Sequence, residues 1–313
     1  MTQANPVAFL GMGAMGSALA RHLLTQGIPV TVWNRNPERC RPLVDAGASQ
    51  AQSPAQAALG AKVAITMLAD DAANESVVFG PDGLLGALGD DQVHVAMSTI
   101  SVALAERLRD AHRQAGRAFV AAPVLGRPEM AAQGKLFVAL AGAPEAREHA
   151  RPTLAALSQK IFDLSDDPAA ASLSKLIANF LITTVIEGLA ESLALARKGG
   201  LAPEALLELL TGSIFDAPVF KTYGGLIAEE RYQPAGFGLP LGQKDNRLVL
   251  QAAEAAQVPL PLASLMRDRF LGARARGWDD LDWSAVARLA AMDAGLSVQA
   301  LAAQGDGNEK ADA

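Results

Sequence analysis

Apolar and polar positions follow two regimes along this 313-residue chain. Short apolar runs occur at residues 7–10, 30–33, 63–66, 93–96, 118–121, 136–141 and 160–164, each the length of one strand. Helices are predicted between them at 14–26, 37–45, 71–78, 101–115 and 144–157. Asn36 before Pro37 marks a cap and a first helical position. Thr99 or Ser101 stands near the cap of the helix at 101–115. Gly80-Pro81-Asp82-Gly83 reads as a turn. Strands interleaved with such helices predict a largely parallel sheet covered on both faces.

The pattern changes near Asp166-Asp167-Pro168. Residues 169–198 form a long stretch rich in alanine and leucine, with Gly188 its one internal glycine and no proline. Further helices are predicted at 203–211, 218–228, 239–256, 262–275 and 283–289, and no comparable strand pattern appears. Two domains are therefore expected, 1–166 with mixed strands and helices and 167–302 all-helical. The polar residues 303–313 are expected to be disordered.

The first apolar run leads straight into Gly11-Met12-Gly13-Ala14-Met15-Gly16. A G-x-G-x-x-G string between a strand and a helix is the context in which it binds a dinucleotide. Gly11 permits the tight turn, Gly13 lets the backbone approach a pyrophosphate, and Gly16 allows close helix–strand packing. The pyrophosphate then faces unpaired N–H groups at the helix start. The fold class expected is α/β, a Rossmann-type doubly wound domain followed by an all-helical one. An acidic residue at the end of the second strand would bind a ribose 2′-hydroxyl. Asn34 and Arg35 stand there instead, and both suit a 2′-phosphate. This favours NADPH over NADH. Arg39 and Arg41 are read as solvated. The loops Met67-Leu68-Ala69-Asp70 and Ser98-Thr99-Ile100 follow strands and complete the cleft, with Thr99 beside the nicotinamide ribose or merely capping the next helix.

Composition narrows the remaining chemistry. Apolar residues make up 50% of the chain and charged residues 19%. There are 27 basic against 33 acidic side chains, net −6, a poor balance for nucleic acid. Cys40 is the only cysteine, which excludes an intramolecular disulfide and a multi-thiolate zinc site. No signal peptide is seen at the start, and no run of 18 apolar residues lacks a charge, so no membrane span is expected. A cytoplasmic location is expected. His22, His94, His112 and His149 are scattered, with no metal spacing, and no G-x-S-x-G elbow is present.

A proton donor is sought on the long helix. Lys175 and Asn179 are four residues apart and share one face, amid Leu173, Leu176, Ile177, Phe180 and Leu181. A lysine in such a stripe either serves a carbonyl oxygen as acid and charge or snorkels to the surface. Lys244-Asp245, near the start of a later helix, either reaches the cleft or forms a surface pair.

The whole chain resembles the β-hydroxyacid dehydrogenase family, which includes 3-hydroxyisobutyrate dehydrogenases and semialdehyde reductases. Four motifs in family order carry the resemblance. They are the glycine loop with Asn34-Arg35; Ala122-Pro123-Val124-Leu125-Gly126-Arg127 with Ala132, Gly134, Lys135 and Leu136; Lys175 with Asn179 and Glu187; and Lys244-Asp245. The resemblance implies that Thr99 contacts the cofactor beside the nicotinamide, that Lys175 is catalytic, that Asn179 places the substrate and that Lys244 closes onto the cofactor. It also implies a homodimer or tetramer held mainly by the helical domain. One departure stands out. Small-acid enzymes of the family read Asp-Ala-Pro-Val-Ser-Gly-Gly where this chain has Ala121-Ala122-Pro123-Val124-Leu125-Gly126-Arg127-Pro128. Leu125 removes a hydroxyl donor to the substrate carboxylate, and Arg127 either replaces it or points to solvent. Val124, Leu125, Gly126, Arg127, Asn179 and Asp245 are thus the expected substrate contacts. The activity implied is NADPH-dependent reduction of a small aldehyde or ketone, reversible on the hydroxy acid or alcohol. The alternative is an imine reductase, a related family whose members usually lack the lysine.

Overall fold

The computed structural model describes residues 5–298, so the tail at 303–313 lies outside the described residues. Nine strands form one sheet. They are β1 (Val7–Leu10), β2 (Val30–Trp33), β3 (Ser49–Gln50), β4 (Val63–Thr66), β5 (Val93–Ala96), β6 (Ala118–Ala121), β7 (Val124–Leu125), β8 (Leu136–Gly142) and β9 (Ser158–Ser165). The run β3-β2-β1-β4-β5-β6 is parallel throughout. β8 then lies antiparallel to β6 and β7 and parallel to β9. The parallel expectation therefore holds up to β6, where the turn into β7 and β8 reverses the sheet.

Every residue of β1 is buried, as a central parallel strand covered on both faces requires. Leu19, Leu23, Leu154 and Leu157 cover one face, packed with Val32 and Ile65. Val77, Leu84 and Leu88 cover the other beneath Leu10 and Ala64. The chain order reverses across β1 and β4, leaving a crevice at their carboxyl ends where ligands of such sheets bind.

One helix, Pro168–Lys198, joins this layer to the helical region. Asp167 caps it by accepting from Ala169 N at 3.1 Å. Arg109 Nη1 sits 2.9 Å from both Asp167 oxygens, which fixes the first turn. Small side chains let the helix lie close to the sheet, with Ala171 against Ala121 and Ala141. Further along, Ile186, Leu189 and Leu193 enter a second core with Phe270 and Trp283. By length and composition this helix could cross a membrane, a test that core helices also pass, although Lys175 and Glu187 interrupt its apolar run. Here it instead buries Asn179 and Glu187 among packed neighbours. The helices Pro203–Thr211, Pro218–Ala228, Leu239–Ala255, Pro261–Arg274 and Ala287–Asp293 complete the region. No strand follows Ser165 among the described residues.

Candidate active site

The glycine loop has the shape its spacing predicts. Gly11 adopts φ +109°, and a Cβ there would lie 2.2 Å from Met67 O. A Cβ on Gly16 would lie 1.9 Å from Gly11 O, whereas one on Gly13 would meet nothing within 4 Å. Two glycines are therefore dictated by packing and the third leaves open space. The helix Ala14–Thr25 has no side-chain cap. Gly13 and Ala14 are exposed and Met15 half-buried. Uncapped amides beside an open backbone make a cradle for a phosphate anion, and the residues fit a dinucleotide.

Met12 N donates to Asn34 Oδ1 at 2.9 Å, and Asn34 Nδ2 donates to Asn36 O at 2.9 Å. Asn34 thus ties the loop to the end of β2, a structural duty added to the phosphate contact expected from sequence. Arg35 is exposed and makes no ion pair among the described residues. Its guanidinium is free to meet a phosphate beyond β2. Leu68 N donates to Ser98 Oγ at 2.8 Å, which holds the loops after β4 and β5 together. Ser101, rather than Thr99, caps the helix Val102–Gln114, accepting from Leu104 N at 3.0 Å. Thr99 is left half-buried at the cleft.

Lys175 and Asn179 come together as their spacing predicts. Lys175 Nζ donates to Asn179 Oδ1 at 3.0 Å, and Asn179 Nδ2 donates to Asp245 Oδ2 at 2.5 Å. Lys244 Nζ donates to Thr99 O at 2.7 Å and Ala69 O at 3.1 Å, crossing from the helical region to both cofactor loops. It also lies 3.0 Å from Asp245 Oδ1. Lys244 and Asp245 are therefore not a surface pair. Asp245, expected beside the substrate, is 2% exposed with its carboxylate turned to Asn179 and Lys244. Burial pushes the Lys175 ammonium down to about 8, the nearby Lys244 charge adds to this, and Asp245 opposes it. The surroundings differ from the predicted stripe. Leu173, Ile177 and Leu181 are exposed, and Leu176 instead packs on Leu248, Val249 and Ala263.

The substrate loop departs further from expectation. Arg127 is turned inward, with one guanidinium nitrogen engaged and the other, Nη1, buried without a hydrogen-bond partner among the described residues. Its Nη2 lies 3.3 Å from Asp282 Oδ2, and the guanidinium occupies the space a Cβ on Gly236 would need. Asp282 already accepts from Gly236 N, Phe237 N, Ser284 N and Ser284 Oγ. Arg127 thereby docks the loop on the segment before the Lys244 helix. Val124 is buried, Leu125 half-buried, and Gly126 exposed with φ +142°.

Sequence reasoning missed a buried histidine chain. His112 Nδ1 donates to Leu108 O at 2.7 Å, His94 Nδ1 donates to His112 Nε2 at 3.0 Å, and Thr66 Oγ1 donates to His94 Nε2 at 3.0 Å. The carbonyl at one end accepts only, which sets both tautomers. Burial holds His94 well below its usual range and His112 at about 4.

A dinucleotide cradle whose flanking loops are tied through Lys244 and Asp245 to Asn179 and the half-buried Lys175 defines an NAD(P)-binding Rossmann-type oxidoreductase. Residues 6–165 match the NAD binding domain of 6-phosphogluconate dehydrogenase. Residues 169–290 match the NAD-binding domain of NADP-dependent 3-hydroxyisobutyrate dehydrogenase. The chain belongs to the 3-hydroxyisobutyrate dehydrogenase-like, β-hydroxyacid dehydrogenase family, which is related to the imine reductases. It is 42% identical over 280 residues to the uncharacterized oxidoreductase YfjR of Bacillus subtilis, covering 90% of this chain and 98% of that one. It is 36% identical to glyoxylate/succinic semialdehyde reductase 1 of Arabidopsis thaliana, covering 90% and 96%. The fold superposes with a TM-score of 0.82 on Psf3 in complex with NADP+ and 2-OPP, at 26% identity, covering 90% and 99%. At the family level this is an NAD(P)-dependent oxidoreductase acting on small carbonyl or hydroxy-acid substrates.

Proposed function

We propose that the chain is an NADPH-preferring reductase for a small aldehyde or ketone, reversible on the alcohol or β-hydroxy acid, with Lys175 as general acid and base. The observation that carries this reading is the Lys175 ammonium, held by Asn179 and brought down to about 8 by burial. A group titrating there is largely protonated at neutral pH yet able to release its proton, as acid–base catalysis demands. When bound, the nicotinamide supplies the hydride. Gly11, Met12, Gly13, Ala14, Met15 and Gly16 hold the pyrophosphate, with Met67, Leu68, Thr99 and Lys244 lining the cleft. Arg35 selects the 2′-phosphate, and Asn34 positions the loop beside it. Lys175 gives its proton to the carbonyl oxygen and stabilises the charge that develops there, while Asn179 orients the ammonium and the substrate. Val124, Leu125 and Gly126 form the substrate wall. Arg127 acts by docking that wall.

Leu125 makes the wall more apolar than a serine would, which favours substrates beyond small polar acids. It also keeps an imine substrate as a second reading, opposed by Lys175. The exposed apolar stripe Leu173, Ile177 and Leu181 supports a homodimer or tetramer formed through the long helix. The test is a reductase screen of semialdehydes, hydrophobic aldehydes and cyclic imines, with NADPH and NADH in parallel. Turnover of carbonyl substrates with NADPH is expected, and turnover of imines alone would overturn the assignment.

A further inference from the structure

The two lysines of the cleft share one carboxylate. Lys175 Nζ meets the carbonyl end of Asn179, whose amino end meets Asp245 Oδ2. That orientation of the amide is the one both partners require, because an ammonium only donates and a carboxylate only accepts. The second oxygen, Oδ1, faces Lys244 Nζ at 3.0 Å. Lys244 also holds the carbonyls of Thr99 and Ala69. A polar chain therefore runs from Lys175 to both loops of the cofactor cleft, its Asp245–Lys244 link an ion pair and its other links hydrogen bonds. Asp245 and Lys244 come from one helix, Leu239–Ala255, and are the charged groups that act on Lys175.

We propose that Asp245 is a positioning residue that serves as common counter-ion to Lys175 and Lys244, acting on the first through Asn179 and on the second directly. The proposal rests on the reading of Lys175 as the proton-transfer group. Asp245 keeps the Asn179 amide turned so that its oxygen faces the ammonium. Its single negative charge is divided between two cations, so whatever draws Lys244 away leaves more of that charge for Lys175. An opposite charge nearby favours the ammonium, and a like charge disfavours it.

The experiment titrates Lys175 itself in the full-length protein. Competitive labelling with isotopic acetic anhydride, followed by mass spectrometry of the Lys175 peptide, gives the midpoint of its titration without reference to activity. Asp245→Asn is expected to lower the midpoint, so that free amine below it rises about tenfold. Lys244→Gln is expected to raise it, and the double variant to return toward the parent. An unmoved midpoint in Asp245→Asn, or movement of both single variants in the same direction, overturns the proposal. If Asp245→Asn does not fold, Lys244→Gln decides alone, an unchanged midpoint overturning the idea. The pH profile of kcat is measured on the same variants. Labelling midpoints that move while the kcat profile stays fixed support the positioning role and refute Lys175 as proton donor.

Discussion

Acid should weaken this fold through its buried histidines, by an amount the geometry allows to be worked out. In the native state His112 donates from Nδ1 to Leu108 O and accepts at Nε2 from His94. A second proton on Nε2 would set two donors against each other in a buried site, 0% exposed for both rings. Burial depresses the His112 range from 6.5 to about 4. A base with a lowered native pKa binds fewer protons folded than unfolded, so stability is intact above the unfolded value and is lost as pH falls below it. Going from pH 7.5 to 5.5 protonates the unfolded imidazole and leaves the folded one neutral, which costs about 1.4 kcal/mol for His112. The loss grows to roughly 3 kcal/mol as pH approaches 4. His94 adds in the same direction. The assay is urea unfolding at both pH values for the parent and His112→Phe, a ring that stacks with Phe119 as the imidazole does. The variant should lose less stability between the two pH values by about the His112 share. Equal losses in parent and variant would show that His112 does not carry the acid sensitivity, because exposed carboxylates contribute alike to both.

Two further predictions concern ligands. Arg35→Glu should weaken NADPH binding about 10- to 150-fold, the worth of one charge-assisted phosphate contact, and affect NADH much less; calorimetry with both cofactors checks it, and equal losses would remove the NADPH preference. Leu125→Ser should raise kcat/KM for a small hydroxy acid relative to an uncharged alcohol by restoring a hydroxyl donor; an unchanged ratio would show that Leu125 does not face the distinguishing group.

What the sequence revealed depended on how local each cause was. The glycine loop was readable because Gly11 and Gly16 are dictated by contacts within one strand–turn–helix unit. The helices Pro144–Leu157, Pro203–Thr211 and Pro218–Ala228 follow their predicted limits because proline sets each start. β3 and β7, with two residues each, and the helix Pro54–Ala58 are too short to show periodicity. Lys175 and Asn179 were paired by helix spacing, but the group behind them, Asp245, lies 66 residues from Asn179. The partner of Arg127 is 155 residues away, so the loop itself could not show the contact with Asp282. The histidine chain needed the register of β5 against β4, which places His94 beside Ala64 and next to Thr66 in space. Likewise, the exposure of Leu173, Ile177 and Leu181 depends on which side of the helix the sheet and the other helices cover.

Pre-steady-state measurement of cofactor oxidation in Lys175→Ala, with NADPH binding measured separately, asks whether Lys175 transfers the proton that accompanies reduction. His94 and His112 are not free to take over, since they bond to each other and to Thr66 and Leu108. General acid catalysis contributes about 10²- to 10⁴-fold. Hydride transfer to the preferred carbonyl substrate should therefore slow by about that factor, while NADPH binds as tightly as to the parent. Hydride transfer at the parental rate in a folded, cofactor-binding Lys175→Ala would show that Lys175 is not the proton donor.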